Sequence, residues 1–164
     1  EPKMSLITVL RPALASDCEH IYTAHRYAVQ YTCDQSYDRR VLTAWSALLR
    51  PESYSEALKD PNKAVWVVEF QGKIRGFFQV DLKEAQLDAL YVHPFVHNRG
   101  LGTALLTRAE EIVAHAGFGF MKLYASLNSV AFYKLNGYQS LGEAILPLNR
   151  DVSVKCELMR KYLD

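Results

Sequence analysis

Three patterns predict an α+β fold, a mixed and mostly antiparallel sheet of six to seven strands flanked by about four helices. Val65 to Phe70 and Ile74 to Leu82 are β-rich runs joined by Gln71-Gly72-Lys73, which reads as a hairpin turn. Leu87 to Val92 and Met121 to Leu127 bracket an amphipathic stretch that ends at Ala116, the pattern of a βαβ unit. Its two strands are predicted parallel, with a right-handed crossover. Tyr138 to Ile145 and Val152 to Leu158 read as a closing hairpin. Val152, Val154, Cys156 and Leu158 share one face of its last strand, and Ser153, Lys155 and Glu157 share the other.

The remaining elements follow in chain order. Ser5 to Arg11 alternates and is rich in β-branched residues, so it is a first strand, ended by Pro12. Ser16 or Asp17 caps a helix running to about Tyr31, with Ile21, Ala24, Ala28 and Tyr31 as its apolar stripe. Tyr31 to Tyr37 is a polar, aromatic break. A second helix covers Arg39 to Leu49, with Val41, Trp45 and Leu48 on one face; Pro51 stops it, and Glu52 to Lys59 adds a short third helix. The helix after Gly102 turns Leu105, Ala109, Ile112, Val113 and Ala116 inward and Arg108, Glu110 and Glu111 outward, and Gly117 and Gly119 end it. Ser129 to Asn136 is a short helix that Asn136-Gly137 terminates in the left-handed conformation.

A chain of 164 residues is long enough for one packed domain, expected over residues 4–164; Glu1-Pro2-Lys3 reads as a cloning remnant ahead of Met4. With 49% hydrophobic and 23% charged residues the composition is that of an ordinary globular protein. A net charge of +1 gives no reason to expect nucleic acid or an anionic membrane as partner. No apolar run reaches membrane-spanning length. Three widely spaced cysteines, Cys18, Cys33 and Cys156, fit a reducing cytoplasm better than a disulfide framework. Of the five histidines, His20, His25, His93, His97 and His115, the first two are five apart and so fall on different helix faces, and the cysteines form no Cys-x-x-Cys pattern, so no metal site is expected.

The chemistry concentrates between Leu87 and Gly102. A strand ends in His93-Pro94, and after a short loop Asn98-Arg99-Gly100-Leu101-Gly102-Thr103 opens a helix. First-turn backbone N–H groups have no intrahelical acceptor, the helix dipole adds positive charge, and glycine allows close approach, so this start suits an anion. It is not a Walker loop, because Thr103 rather than lysine follows Gly102, and it lacks the third glycine of a dinucleotide fingerprint.

The order strand, Val-x-Pro, short loop, x-x-x-Gly-x-Gly and amphipathic helix resembles motif A of the GNAT superfamily of acetyl-CoA-dependent N-acetyltransferases. The family consensus Gln/Arg-x-x-Gly-x-Gly/Ala falls on His97-Asn98-Arg99-Gly100-Leu101-Gly102, with His97 where Gln or Arg is usual. Downstream, Asn128-Ser129-Val130-Ala131-Phe132-Tyr133-Lys134-Leu135-Asn136-Gly137-Tyr138 resembles the family's Asn-x-x-Ala-x-x-Phe-Tyr-x-x-x-Gly-Phe/Tyr block, although Ala131 directly precedes Phe132-Tyr133. The block Ala28 to Ser46 is loosely similar to small bacterial members of the YafP type.

The resemblance implies acetyl-CoA as cosubstrate and a small-molecule or peptide amine as acceptor, in a monomer or homodimer. It implies that the parallel strands splay, that the pantetheine arm inserts between them, and that the backbone of Tyr91 and Val92 pairs with it. His97 to Thr103 would hold the pyrophosphate. Tyr133 would protonate the leaving thiolate, with Phe132 packing beside it. Asn128 would bond the pantetheine amides or cap the helix after it, a role Ser129 fills equally well. The base is expected at Asp88, acting directly or through water. Gln86 cannot take a proton, Glu84 lies in the preceding turn, and His93 is a further candidate of suitable pKa. Tyr31 and Tyr37 would line the acceptor pocket, with Asp34 and Asp38 near enough to attract a cation. The competing reading is an acyl-CoA-binding or sensor module of the same fold, which the absence of a strand glutamate at Gln86 keeps open. A cysteine nucleophile, Cys33 with His25, has no supporting motif.

Overall fold

The computed structural model describes residues 7–96 and 100–164. Expectations placed on residues 1–6 and on His97, Asn98 and Arg99 lie outside the described residues. Within them, seven strands form one sheet: β1 (Thr8–Pro12), β2 (Lys63–Phe70), β3 (Lys73–Asp81), β4 (Gln86–Val92), β5 (Phe120–Ser126), β6 (Gln139–Pro147) and β7 (Ser153–Tyr162). Their spatial order is β1-β2-β3-β4-β5-β7-β6, and β4–β5 is the parallel pair in an otherwise antiparallel sheet. The α-helices are α1 (Cys18–Tyr27), α2 (Arg39–Leu48), α3 (Pro51–Lys59), α4 (Leu101–His115) and α5 (Val130–Leu135).

The sheet is covered on both faces. On one, α4 turns Leu101, Leu105, Leu106, Ala109 and Val113 onto Val68, Phe78, Val80, Leu87, Met121 and Met159. On the other, α1 and α3 place Cys18, Ile21, Tyr54 and Ala57 against Val65, Val67 and Phe77. Gly76 sets the approach of α4. A Cβ there would lie 2.8 Å from the Tyr91 carbonyl oxygen, 3.1 Å from Val68 Cγ1 and 3.2 Å from Leu105 Cδ1. The β2–β3 turn has positive φ at both central residues, 54° at Gln71 and 79° at Gly72, which matches the twist of the flanking strands.

Several elements depart from the sequence pattern for identifiable reasons. After Tyr27 the helix continues as a π-helical turn over Ala28–Thr32 and a 3-10 turn over Cys33–Gln35. Ile21, Ala24 and Ala28 are buried as expected, whereas Tyr31 is 57% exposed, because the wider turn rotates it off the apolar stripe. Asp17 does not cap α1 through a first-turn N–H. Its carboxylate accepts from Leu14 N (2.7 Å) and from two Arg11 guanidinium nitrogens (2.7 and 3.0 Å), which ties β1 to the helix start. The Val41–Trp45–Leu48 face of α2 is not buried; Asp38 caps this helix by accepting from Val41 N at 3.0 Å. Pro51 begins α3 at its first turn, where a missing N–H costs nothing.

Glu110 does not face out. It accepts from Tyr138 Oη (2.8 Å) and Lys161 Nζ (3.0 Å), joining α4 to the α5–β6 turn and to the end of β7. The β5–β7 ladder runs on to Phe120 opposite Tyr162, beyond the expected end at Leu158.

Gly76→Ala should destabilise the protein by about 1–3 kcal/mol, because the added methyl overlaps backbone as well as side chain. Urea unfolding of both proteins measures this as a lowered midpoint at unchanged slope.

Candidate active site

The site begins with one extra residue. Against β3, Leu87 faces Val80 and Ala89 faces Gln79, so Asp88 has no partner and forms a β-bulge. On the other edge β4 pairs with β5 at Gln86–Lys122 and Leu87–Leu123, and among the described residues the ladder stops there. Backbone parity changes at the same point. Lys122 N donates to the Ala85 carbonyl (2.9 Å), so before the bulge the odd-numbered groups face β5. Beyond it His93 N donates to the Arg75 carbonyl (2.6 Å), so the odd-numbered groups face β3 and those of Leu90 and Val92 face the gap. The Tyr91 backbone thus faces β3, and its ring packs on His25 (4.2 Å) and Phe77 (6.2 Å).

A cavity of about 500 Å³ opens on the α4 side. Gly100, Leu101, Gly102 and Thr103 form its wall at the helix start, with Leu90, Tyr91 and Val92 on one strand and Ser126, Asn128, Ser129 and Phe132 after the other. Gly100 sits at φ 73° as the residue before α4, and a Cβ on it would meet nothing within 4 Å. Gly102 is different: a Cβ there would lie 3.3 Å from the Phe132 ring. The helix start and the Phe132 ring thus pack as one wall, across which the first-turn N–H groups carry the positive end of the α4 dipole.

Two buried polar atoms on this cavity's lining residues, Thr32 Oγ1 and Asn128 Oδ1, have no hydrogen-bond partner. Buried polar atoms without a partner are uncommon and call for an explanation. Neither Asn128 nor Ser129 caps α5 with its side chain; Ser129 Oγ instead donates to the Ser126 carbonyl at 3.1 Å. Thr32 was invisible to pattern reading because it enters the wall only through the π-helical turn.

A second cavity, of about 300 Å³, lies toward α1 and α3. It is walled by His25, Tyr37, Trp45, Gln86, Asp88, Ala89 and Tyr91, with Leu146, Pro147, Val154 and Cys156 opposite. Tyr91 and Ser126, at the ends of β4 and β5, border both cavities. The bulge puts Asp88 and Ala89 on this same side. The Asp88 carboxylate pairs with Lys63 Nζ (2.9 Å) and accepts from Gln79 (3.2 Å) and Gln86 (3.2 Å).

The other candidates do not all line these cavities, and Tyr133 borders neither of the two. Tyr133 is buried in the α4-side core, its ring 5.1 Å from that of Phe132 and 5.6 Å from that of Tyr138, and burial raises its pKa above the ordinary tyrosine value. Tyr31 and Tyr37 do not form a cluster: Tyr31 stacks on Tyr27 (5.4 Å) and Tyr37 meets the edge of Trp45 (5.7 Å). They share the wall of an outer groove with Arg26, Asp34 and Arg39, and Tyr37 alone of the two also reaches the second cavity. The Tyr37 hydroxyl accepts from Leu127 N (2.9 Å) and donates to the Lys155 carbonyl, replacing the next rung of the β5–β7 ladder. His93 is buried rather than at the surface, packed on Tyr27 and Phe95. Burial pushes the Cys33 thiol up to about 12, the wrong direction for a nucleophile. Among the described residues no helix is long and apolar enough to cross a membrane.

The family model described as the acetyltransferase (GNAT) family matches residues 18–138, and the chain belongs to that family. Over 75 residues it is 32% identical to the uncharacterized protein YdhI of Bacillus subtilis (strain 168), covering 44% of this chain and 47% of that protein. The chain thus spans about half the length of that relative. A GCN5-related N-acetyltransferase from Rhodopseudomonas palustris shares the fold with a TM-score of 0.87 at 22% identity, covering 99% of this chain and 100% of that one. The PaiA N-acetyltransferase of Thermoplasma acidophilum, solved with coenzyme A, has a TM-score of 0.78 at 20% identity, covering 96% and 99%. The putative acetyltransferase YncA of Salmonella typhimurium, solved with acetyl-CoA, has a TM-score of 0.69 at 21% identity, covering 96% and 94%.

One consequence of this geometry is a pH dependence of stability. Burial lowers the pKa of His25 to about 3, so the folded protein keeps it neutral while an unfolded histidine takes up a proton below about 6.5. Its contribution is complete above the unfolded value and is lost as pH falls from about 6.5 toward 3. Melting temperatures measured at pH about 7.5 and about 4.5 should fall less in His25→Phe than in the wild type.

Proposed function

We propose that the protein is an acetyl-CoA-dependent N-acetyltransferase that transfers acetyl directly to a primary amine. The observation that carries this reading is the gap after Leu87, which opens into a cavity walled by the α4 first turn and by residues that include Thr32 and Asn128, whose buried side-chain oxygens have no partner among the described residues. A chain of amide N–H groups ending in a pyrophosphate fits both features at once: donors for the two oxygens and an anion for the helix start. When bound, acetyl-CoA supplies the acetyl group as a thioester. Asn98 to Thr103 hold the pyrophosphate, with His97 flanking them. The strand segment Leu90 to Val92, which borders the cavity, would lie along the arm, and a backbone N–H there would polarise the thioester carbonyl.

The amine enters from the second cavity. Asp88 draws it in as a cation and accepts its proton, directly or through a water, so that a neutral nitrogen faces the gap. Tyr133, the tyrosine of the Phe132-Tyr133 pair, gives its proton to the departing sulfur. The Lys63, Gln79 and Gln86 contacts already engage the Asp88 carboxylate. They favour a second reading, in which the fold takes up acyl-CoA without turning it over.

Acetyl-CoA titration followed by coenzyme A release over a panel of primary amines separates the two. Binding with amine-dependent release is the expected result; binding with no release at any pH supports the sensor reading. Tyr133→Phe should lower turnover by roughly 10²–10⁴-fold with acetyl-CoA affinity nearly unchanged; unchanged turnover removes Tyr133 from the reaction. Gly102→Val should abolish acetyl-CoA binding in a folded protein, because the branched side chain drives Phe132 into the cavity. Calorimetry together with a far-ultraviolet spectrum checks both halves of that expectation.

A further inference from the structure

One residue that lines the second cavity, His25, has a buried ring nitrogen with no hydrogen-bond partner among the described residues. His25 is 9% exposed and its ring is enclosed by Tyr91 at 4.2 Å and Phe77 at 5.2 Å. Its Nδ1 lies 2.8 Å from the Tyr54 hydroxyl, and its Nε2 is buried without a partner. Tyr54 Oη has this one hydrogen-bond contact. Its hydrogen therefore goes to Nδ1, and the neutral imidazole carries its own proton on Nε2. The result is a buried N–H on a residue that lines the cavity.

We infer that His25 Nε2–H is the specificity determinant for the acceptor, donating to a neutral oxygen that lies close to the reacting amine in the substrate. The inference rests on the N-acetyltransferase reading. Two neighbours define the partner's chemistry. Asp88 in the same cavity favours a cationic amine and repels a second carboxylate, so the answering group is a carbonyl or hydroxyl oxygen. Trp45, Leu146, Pro147 and Val154 give the rest of the wall an apolar surface, and about 300 Å³ admits a single small side chain. An α-amino amide, free or as the first residue of a peptide, fits this set, and an amino alcohol shares its chemistry. A polyamine carries donors alone and would leave Nε2–H unanswered at a desolvation cost.

The Tyr54 hydroxyl acts through His25 as a positioning group, fixing the tautomer that presents a donor. Removing it frees the ring to place its proton on either nitrogen.

The test compares leucinamide, leucinol, 3-methylbutylamine and putrescine as acceptors for the full chain with acetyl-CoA. In the wild type kcat/KM for leucinamide or leucinol should exceed that for 3-methylbutylamine by at least about 100-fold, as expected for leaving a buried donor unpaired; which of the two is preferred identifies the oxygen. His25→Phe should erase most of that ratio through KM, and His25→Gln, which retains an N–H donor, should restore part of it. If His25→Phe does not fold, Tyr54→Phe and a nitrogen-15 spectrum of the wild type carry the test. The spectrum should place the imidazole proton on Nε2 and shift on adding leucinamide but not putrescine. Equal rates for all four amines, a preference for putrescine, or a folded His25→Phe with the wild-type ratio overturns the inference while leaving the acetyltransferase reading intact. Release with none of the amines despite acetyl-CoA binding overturns the inference and favours the sensor reading. Failure to bind acetyl-CoA overturns both.

Discussion

The inserted residue Asp88 is the constraint on which the site depends. A regular β4 would continue the ladder with β5, closing the gap and satisfying every backbone group along it. One extra residue does three things at once. It ends the parallel pairing after Leu87, it turns the backbone of Leu90 and Val92 toward the space that opens, and it puts Asp88 and Ala89 on the same side of the sheet. Two cavities and the gap after Leu87 follow from that single irregularity, together with the side-chain sets that wall them.

A gap in the middle of a sheet has to be held open from outside. On the α4 side the helix is locked at both ends: Gly76 lets Leu105 seat on the strands, and Glu110 joins Tyr138 and Lys161 beyond the far turn. On the β5 side Tyr37 carries the ladder one rung past Ser126. Tyr37 was legible in the sequence as an aromatic at a helix break, and a pocket was the natural reading. Its hydroxyl instead serves as a strand bond, and only its ring faces a cavity.

What could be read from the chain follows from the range of the signal. Periodicity of two and of 3.6 is local, so every strand and helix was foreseen, as was the parallel pair. The α4 start was legible because its glycines announce a backbone requirement, and φ 73° at Gly100 is that requirement. The bulge was not legible: Gln86, Leu87, Asp88 and Ala89 alternate well enough to pass for a regular strand, and the extra residue exists only relative to β3. Thr32 was missed for the same reason, since a π-helical turn is a one-residue change of phase with no composition of its own. His25 was noticed only as a partner for Cys33. Its significance depends on Tyr54, twenty-nine residues away and on another helix.

The unpartnered polar atoms sharpen this picture. His25 Nε2, Thr32 Oγ1 and Asn128 Oδ1 belong to residues that line the two cavities. Each such atom destabilises a folded chain by about 1–3 kcal/mol, a sum comparable with a sizeable share of the stability of a domain this large. Apolar side chains of the same shape would remove the penalty. Three of the five such atoms among the described residues belong to residues around one opening, which marks where stability yields to binding. His25 and Thr32 come from α1 and the turn that continues it, and Asn128 from the turn after β5, so the groups that a ligand would answer stand on both edges of the opening.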